Sequence, residues 1–393
     1  MTLAVAAVCG LLGALVGSFA NVVIHRLPAG TSIVRPRSAC PACGRVLGPL
    51  ELVPVASWLV QGRRCRGCGA PISARYPAVE LLGALGFAAL ALRTSPLDAP
   101  GAFTVLAAWW TLLLIIAFID LDTTQIPDAL TLPGILVLGA ATWWVGGEGA
   151  LPAPGAAALG AALGAGALTV VNRVGALALR RFRDTRERLW PIGFDQANLA
   201  AVAGTLAGLL PGLAVAAASL ALNLLARRPV RIPEPLAWAA WGVALALSPY
   251  TVGPLLAISG GLAACGTVAL LGAAVWWAYD LRTRARREAD THDGAQAGAP
   301  DEGAAEEGED EPVAMGFGDV KLAALLGVVL AWDGLLVALF VAVLSGAIVG
   351  VVQRARGGTR QIPFGPFLAL GAAVSLFVGD ALLSAYLGAL GLA

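Results

Sequence analysis

Long apolar runs separated by short polar or basic connections make up most of this chain. A run of about 18 or more apolar residues can cross a bilayer as a helix. The pattern predicts helices over residues 3–24, 76–92, 103–119, 129–145 and 154–179, and, further on, over 320–332, 335–352 and 367–390. Two segments interrupt it. Residues 25–75 carry Arg26, Arg35, Arg37, Arg45, Arg63, Arg64, Arg66 and Arg75, while residues 282–312 open on arginines and turn acidic from Glu288 to Glu311. Gly, Ala and Pro fill the gaps of the second segment, which cannot bury a core and is expected to be a disordered linker.

The stretch from Pro191 onward becomes regular once the chain is compared with itself. Ile192-Gly193-Phe194-Asp195-Gln196-Ala197-Asn198-Leu199-Ala200 is similar to Met315-Gly316-Phe317-Gly318-Asp319-Val320-Lys321-Leu322-Ala323. Arg231-Ile232-Pro233-Glu234-Pro235 is likewise similar to Gln361-Ile362-Pro363-Phe364-Gly365-Pro366. Residues 150–250 and 251–393 are therefore expected to be two copies of a four-helix unit. With the preceding helices this predicts an all-α polytopic membrane protein of about 12 transmembrane helices, with a small cytoplasmic domain at 25–75 whose paired motifs Cys40-Pro41-Ala42-Cys43 and Cys65-Arg66-Gly67-Cys68 suit a zinc knuckle. Residues 1–24 would form the first transmembrane helix, and residues 76–149 the helices that follow the small domain.

Composition agrees with that class. Of the 393 residues 58% are hydrophobic and 13% charged, and the mean hydropathy is +0.79. Soluble domains carry about a quarter charged residues. A formal net charge of +1 leaves no basic field for nucleic acid, so the expected surroundings are membrane lipid. The basic segment 25–75 is expected on the cytoplasmic side, with the N-terminus outside. No basic residue precedes the apolar core of residues 2–24, which predicts a retained helix rather than a cleaved signal.

Candidate chemistry gathers at the helix ends. Asp319 stands between glycines and the start of an apolar run, where an idle charge is expensive to bury. The other cluster of carboxylates at the end of an apolar run is Asp120, Asp122 and Asp128, within Phe118-Ile119-Asp120-Leu121-Asp122-Thr123-Thr124-Gln125-Ile126-Pro127-Asp128. Two carboxylates brought together can share a proton, one serving as base and the other as acid. Gly316 and Gly318 would keep side chains out of the way where backbone approaches a substrate or Asp319 is repositioned. Lys321 would meet lipid phosphate or bias which carboxylate stays ionised. Asp122 and Asp128 are expected to orient or cap the break before the next helix, where Pro127 can start a first turn. His25, at a helix end, reads as a solvated side chain.

Cys40-Pro41-Ala42-Cys43 and Cys65-Arg66-Gly67-Cys68 form two CxxC knuckles in the basic segment. Cys40, Cys43, Cys65 and Cys68 at this separation match a tetrahedral structural Zn2+ site, with Gly44 and Gly69 letting the backbone turn under the thiolates. A cytoplasmic segment is kept reduced, which argues against disulfides. Cys9 and Cys265 fall inside apolar helices and are expected to pack there.

Taken together these residues resemble the type IV prepilin peptidase family, the bacterial GxGD membrane aspartic proteases. The resemblance rests on Gly17-Ser18-Phe19-Ala20-Asn21-Val22-Val23-Ile24-His25-Arg26-Leu27-Pro28, on the paired CxxC with Ser73 to Glu80, on Asp120 to Pro133, on Gly316-Phe317-Gly318-Asp319, and on Ile362 to Pro366. It implies cleavage of the short basic leader from prepilins and pseudopilins at the cytoplasmic face of the bacterial inner membrane, with Asp120 and Asp319 as the catalytic pair. Members with the cysteine knuckles often also methylate the new N-terminal amine with S-adenosylmethionine. The unit at 150–250 departs from the family pattern and is expected to be a degenerate copy without a second active site, since Gln196 stands where the other copy has Asp319. Internal repeats also occur in transporters, and the zinc segment alone would suit a non-catalytic scaffold of pilus or secretion machinery. Carriers need polar groups deep within helices, and a scaffold has no need of Asp120 and Asp319.

Overall fold

A computed structural model describes residues 2–178, 192–227, 232–293, 316–357 and 362–389. Among them no strand occurs, and the helices follow in order: α1 Thr2–Arg26, α2 Ala56–Val60, α3 Arg75–Arg93, α4 Pro100–Thr123, α5 Asp128–Val145, α6 Pro154–Ala178, α7 Phe194–Ala207, α8 Leu209–Ala226, α9 Glu234–Leu247, α10 Pro254–Asp293, α11 Phe317–Ala355 and α12 Gly365–Ala389. Nine of the described helices are long and apolar enough to cross a membrane.

Helices occupy the described parts of the eight ranges read from the sequence, but three of the described helical segments do not reach spanning length. Helices α7 and α9 have 14 residues each. Helix α11 is divided by Ala331, whose φ of 54° and ψ of −161° are not helical. Its first part is therefore short as well, and the break falls within the predicted helix 320–332 rather than after it. Helix α10 continues through Asp293, so the first residues of the expected linker are helical. The rest of that linker up to 312 lies outside the described residues.

The chain divides into two compact units, Met1–Gly160 with Leu325–Ala393, and Ala161–Ala324. These units do not coincide with the two sequence copies, because α10 packs against α7 in one unit while α12 packs against α4 in the other.

In the first unit, glycines let backbones meet. A Cβ on Gly13 of α1 would collide with the carbonyl of Gly83 in α3, and a Cβ on Gly83 would collide with Gly13. Small residues serve this purpose in lipid, where the hydrophobic effect does not draw helices together. Among the described spans α4 is the most deeply enclosed. Its Trp109 is fully buried and donates from Nε1 to the Leu325 carbonyl of α11 at 3.0 Å. Further along, Gly371 of α12 sits on the backbone of Ala338, and Ser375 Oγ donates to the Gly334 carbonyl at 2.6 Å.

In the second unit, Gly166 of α6 meets the Leu262 carbonyl of α10, and Gly266 of α10 meets the Ala162 carbonyl of α6. Gly204 and Gly208 lie against Gly260. Gly208 separates α7 from α8 with a φ of 93° and ψ of 177°, a conformation in which a side chain is strained.

Ala331 adopts a similar conformation with a Cβ attached. That costs about 1–3 kcal/mol of backbone strain, against about 0.5–1 kcal/mol for the extra unfolded-state entropy of glycine. Ala331→Gly is expected to stabilise the folded protein by about 1 kcal/mol, read as a higher thermal unfolding midpoint in detergent. A lower midpoint would show that the break is not strained.

Candidate functional site

The cysteine segment folds as two equivalent knuckles. In the first, the Gly44 N–H donates to the Cys40 carbonyl and the Cys40 N–H to the Arg45 carbonyl, at 2.8 and 2.9 Å. In the second, the Gly69 N–H donates to the Cys65 carbonyl and the Cys65 N–H to the Ala70 carbonyl, both at 2.8 Å. Gly44 and Gly69 sit at φ 70° and 73°, the left-handed region that each turn requires.

The four sulfurs of Cys40, Cys43, Cys65 and Cys68 lie within 4.8 Å of one another, and Cys40 Sγ stands 3.9 Å from Cys68 Sγ. A tetrahedron with bonds of about 2.3 Å has edges of about 3.8 Å, so the donor set fits a metal ion. Cys65 is pushed down to about 6 by the backbone N–H groups of Cys68 and Gly67. The Ala70 N–H favours the Cys68 thiolate too, but the Cys43 thiol and burial outweigh it and raise Cys68 to about 11. Glu51 braces the segment by accepting from the Gly48 N–H at 2.9 Å and pairing with Arg45.

Asp120 lies within α4, in its last turn, because the helix runs on to Thr123 and closes on a left-handed Thr124 whose N–H donates to the Asp120 carbonyl at 2.8 Å. The side chain is 3% exposed. Its Oδ2 accepts from the Gly365 N–H, the first residue of α12, at 2.8 Å. A Cβ on Gly365 would lie 2.7 Å from that oxygen, so only glycine lets the amide come this close. Asp122 faces elsewhere and pairs with Arg75 of α3, which also donates to the Phe118 carbonyl at 2.9 Å and lies over the Phe118 ring. Asp128 occupies the first turn of α5, where a carboxylate complements the helix dipole. His25 is exposed.

Asp319 stands in the first turn of α11, 8% exposed, and its N–H donates to the Gly316 carbonyl at 3.2 Å. A Cβ on Gly316 would meet the Asp319 carboxylate at 3.7 Å and nothing closer. Gly318 lies between them in the same turn. Lys321 departs from the expectation of a lipid-facing ammonium: it is 6% exposed and its Nζ lies over the Phe317 ring. It lies in the second turn of α11, where Val320, Leu322 and Ala323 on the other faces of the helix are buried as well.

In the related loop of α7, Gln196 is 1% exposed. It accepts from the Gly193 N–H at 2.8 Å and donates to Ser219 Oγ at 3.3 Å. Asp195 accepts from the Ile232 N–H at 3.1 Å.

Sequence reasoning overlooked Gly365, Arg75 and Glu80 as site-building residues. Glu80 is buried in α3 and accepts from the Val55 N–H at 2.7 Å, which ties the cysteine segment to the membrane helices. All three fall in motifs that were read only as signatures, and a hydrogen bond made by a backbone amide leaves no side-chain pattern to find.

Two family models match the chain, the bacterial peptidase A24 N-terminal domain over residues 11–94 and the type IV leader peptidase family over residues 229–351. A prepilin leader peptidase/N-methyltransferase of Myxococcus xanthus is 52% identical over 126 residues, covering 32% of this chain and 36% of the relative. One of the same name from Aeromonas hydrophila is 42% identical over 147 residues, 31% of this chain and 50% of the relative. The chain thus spans half or less of these two relatives. One from Burkholderia pseudomallei is 29% identical over 397 aligned positions, 94% of this chain and 84% of the relative. No solved structure matches the chain significantly.

The four-sulfur geometry predicts one divalent metal ion per chain in protein purified without chelator, measured by elemental analysis. Replacing Cys40, Cys43, Cys65 and Cys68 together by serine is expected to remove it. A full metal complement in that variant would rule the site out.

Proposed function

This chain belongs to the type IV leader peptidase family, and we propose that it is a membrane aspartic endopeptidase that cleaves the leader from type IV prepilins and pseudopilins at the cytoplasmic face of the inner membrane. The observation that carries the reading is the hydrogen bond from Gly365 to Asp120. It joins two of the family motifs across 245 positions of the chain.

We assign the catalytic carboxylates to Asp120 and Asp319. One takes a proton from water as the water oxygen attacks the scissile carbonyl carbon. The other, protonated, gives its proton to the carbonyl oxygen, and collapse of the tetrahedral intermediate breaks the C–N bond as the amine leaves protonated. The Gly365 amide occupies Oδ2 of Asp120 and leaves Oδ1 for this work. Gly316 and Gly318 keep the backbone beside Asp319 slender for an extended peptide. Cys40, Cys43, Cys65 and Cys68 are assigned to a structural zinc ion: four protein ligands leave no open position for a hydrolytic water. We extend the proposal to N-methylation of the new N-terminus, the second activity in the curated relatives' names, with S-adenosylmethionine as methyl donor.

A carrier is less well supported. Among the described residues the buried carboxylates are Glu80, Asp120 and Asp319, all close to helix ends, where water and an extended peptide can reach them.

We also read residues 150–250 as a degenerate copy of the unit at 251–393. The reciprocal contacts of Gly166 and Gly266 exchange under one constant shift along the sequence. Gly208 and Ala331, both non-helical, follow Gln196 and Asp319 at the same interval. Gly260 packs on Gly204 and Gly208, and Gly160 on Gly327 and Ala331, so the first helix of each copy meets the second helix of the other. This interleaving accounts for compact units that cut across the copies. A glutamine in place of Asp319 cannot exchange a proton, and Gln196 has its amide engaged by Gly193 and Ser219.

Asp120→Asn and Asp319→Asn are each expected to lower cleavage of a purified prepilin by at least about 100-fold, measured by product mass, at unchanged protein level. Gly365→Ala should also lower the rate, by pushing Asp120 out of position. Full activity in either aspartate variant sinks the assignment. Asp195→Ala combined with Gln196→Ala should leave cleavage near wild type. Loss of cleavage in that variant, with the protein inserted and folded, would put Asp195 into the mechanism.

A further inference from the structure

The cysteine segment presents an unusual surface for a small metal-binding fold. Leu50 is 78% exposed and Val60 76%, with Val53 and Leu59 exposed between them. Isolated apolar side chains at a surface are ordinary, whereas these four fall within one short stretch of chain, residues 50–60, which concentrates apolar exposure as interaction surfaces do. Exposed Arg63, Arg64 and Arg66 follow directly.

The position of this surface is fixed by hydrogen bonds to α3. Val55, in the middle of the apolar group, has a left-handed φ of 59°, and its N–H is held by the buried Glu80. Trp58 Nε1 donates to the Ile72 carbonyl at 3.0 Å, just ahead of α3. Asn21 Nδ2 of α1 donates to the Tyr76 carbonyl of α3 at 3.0 Å, which clamps together the two helices that bracket the segment. Both helices are apolar enough to cross a membrane. Residues 50–60 are therefore held level with the first turns of a spanning helix, where the headgroups lie.

Apolar projections beside a row of arginines, held at that level, have the chemistry of a surface lying in the interface of an anionic membrane. We propose that this face of the cysteine segment docks on the anionic phospholipid of the leaflet where α1 ends and α3 begins. Leu50, Val53, Leu59 and Val60 enter the headgroup region, and Arg64 and Arg66 meet lipid phosphate. A basic leader peptide is a poorer occupant, since the same arginines would repel it. Docking would fix the start of α3, whose Arg75 pairs with Asp122 at the end of α4, two residues from Asp120. The inference rests on the spanning helices and not on the peptidase assignment.

The test is hydrogen exchange of the full chain in detergent, in phosphatidylcholine nanodiscs and in phosphatidylglycerol nanodiscs, followed over residues 48–66. Exchange in phosphatidylglycerol discs at low salt should be slower than in either other medium by at least about fivefold, the factor one basic residue supplies at an anionic surface. The difference should shrink as salt is raised. Arg64→Gln with Arg66→Gln should abolish the difference between the two lipids. Leu59→Ser with Val60→Ser should lose protection in both. Unaltered metal content in each variant shows that the knuckles remain folded. Equal exchange in all three media overturns the proposal, as does protection that appears only when prepilin is added, which would make the face a substrate surface.

Discussion

A neutral backbone amide, and not a cation, holds the carboxylate at the end of the most deeply enclosed helix. Asp120 and Asp122 lie two residues apart on α4 yet meet different partners, the amide of Gly365 and the guanidinium of Arg75. Two positions along a helix are about 200° of rotation, so they cannot face the same way. An ion pair with arginine favours the ionised carboxylate, whereas an amide fixes geometry without supplying a full opposing charge. The second arrangement suits the proton exchange proposed for Asp120. Exclusion of a side chain at Gly365 is the condition for it, and the position of α12 against α4 follows from that contact.

Close backbone approach extends the same logic through the rest of the helices. In lipid the apolar faces gain nothing by leaving their surroundings, so association relies on tight packing and hydrogen bonds. The α1–α3, α6–α10 and α11–α12 contacts each place a glycine against a carbonyl of the neighbouring helix. Polar links are added where they cost least, at carbonyls that can accept a second hydrogen bond, as Trp109 does at Leu325 and Ser375 at Gly334. A chain with 49 glycines would be a poor helical globule in water, where each interior glycine weakens its helix. Within a bilayer the hydrogen-bonded backbone has no competing solvent, and the same residues become the packing surface.

The sequence revealed whatever depends on residue type at fixed spacing. Cys40, Cys43, Cys65 and Cys68 come within 4.8 Å of one another, and each knuckle was legible because it is a short local turn set by Gly44 or Gly69. Helix positions were legible for the same reason, since apolar length is a local property. Helix ends were not. Asp120 was expected just beyond a helix and lies inside it, because nothing in Leu121-Asp122-Thr123 forbids another turn before the left-handed Thr124. Helix α10 outruns its apolar stretch because residues 282–293 contain no proline or glycine to end it. Of the two roles open to Lys321, contact with lipid phosphate does not fit its burial beside Phe317, because burial of a charge depends on neighbours that a local pattern does not show. The partner of Asp120 was hidden for a different reason. The contact is made by a main-chain N–H from a residue 245 positions away.

If residues 150–250 are the degenerate copy proposed above, the loops at Gln196 and Asp319 describe how a site can lose its chemistry and keep its local helix start. In the loop of α7 the Gly193 N–H is satisfied by the Gln196 side chain, a capping arrangement that needs an acceptor three residues into the helix. Aspartate and glutamine can both offer that acceptor, but glutamine also carries a donor, which Ser219 accepts. The buried amide thus has its oxygen and one N–H engaged at the start of α7, and it has no proton to exchange. At Asp319 the glycine-flanked start is kept, while the side chain is an acid of the length that such chemistry requires. The loops differ beyond that one side chain, since Gly318 and Lys321 stand where α7 has Asp195 and Asn198, while the Gly-Phe before the site and the Leu-Ala after it are common to both.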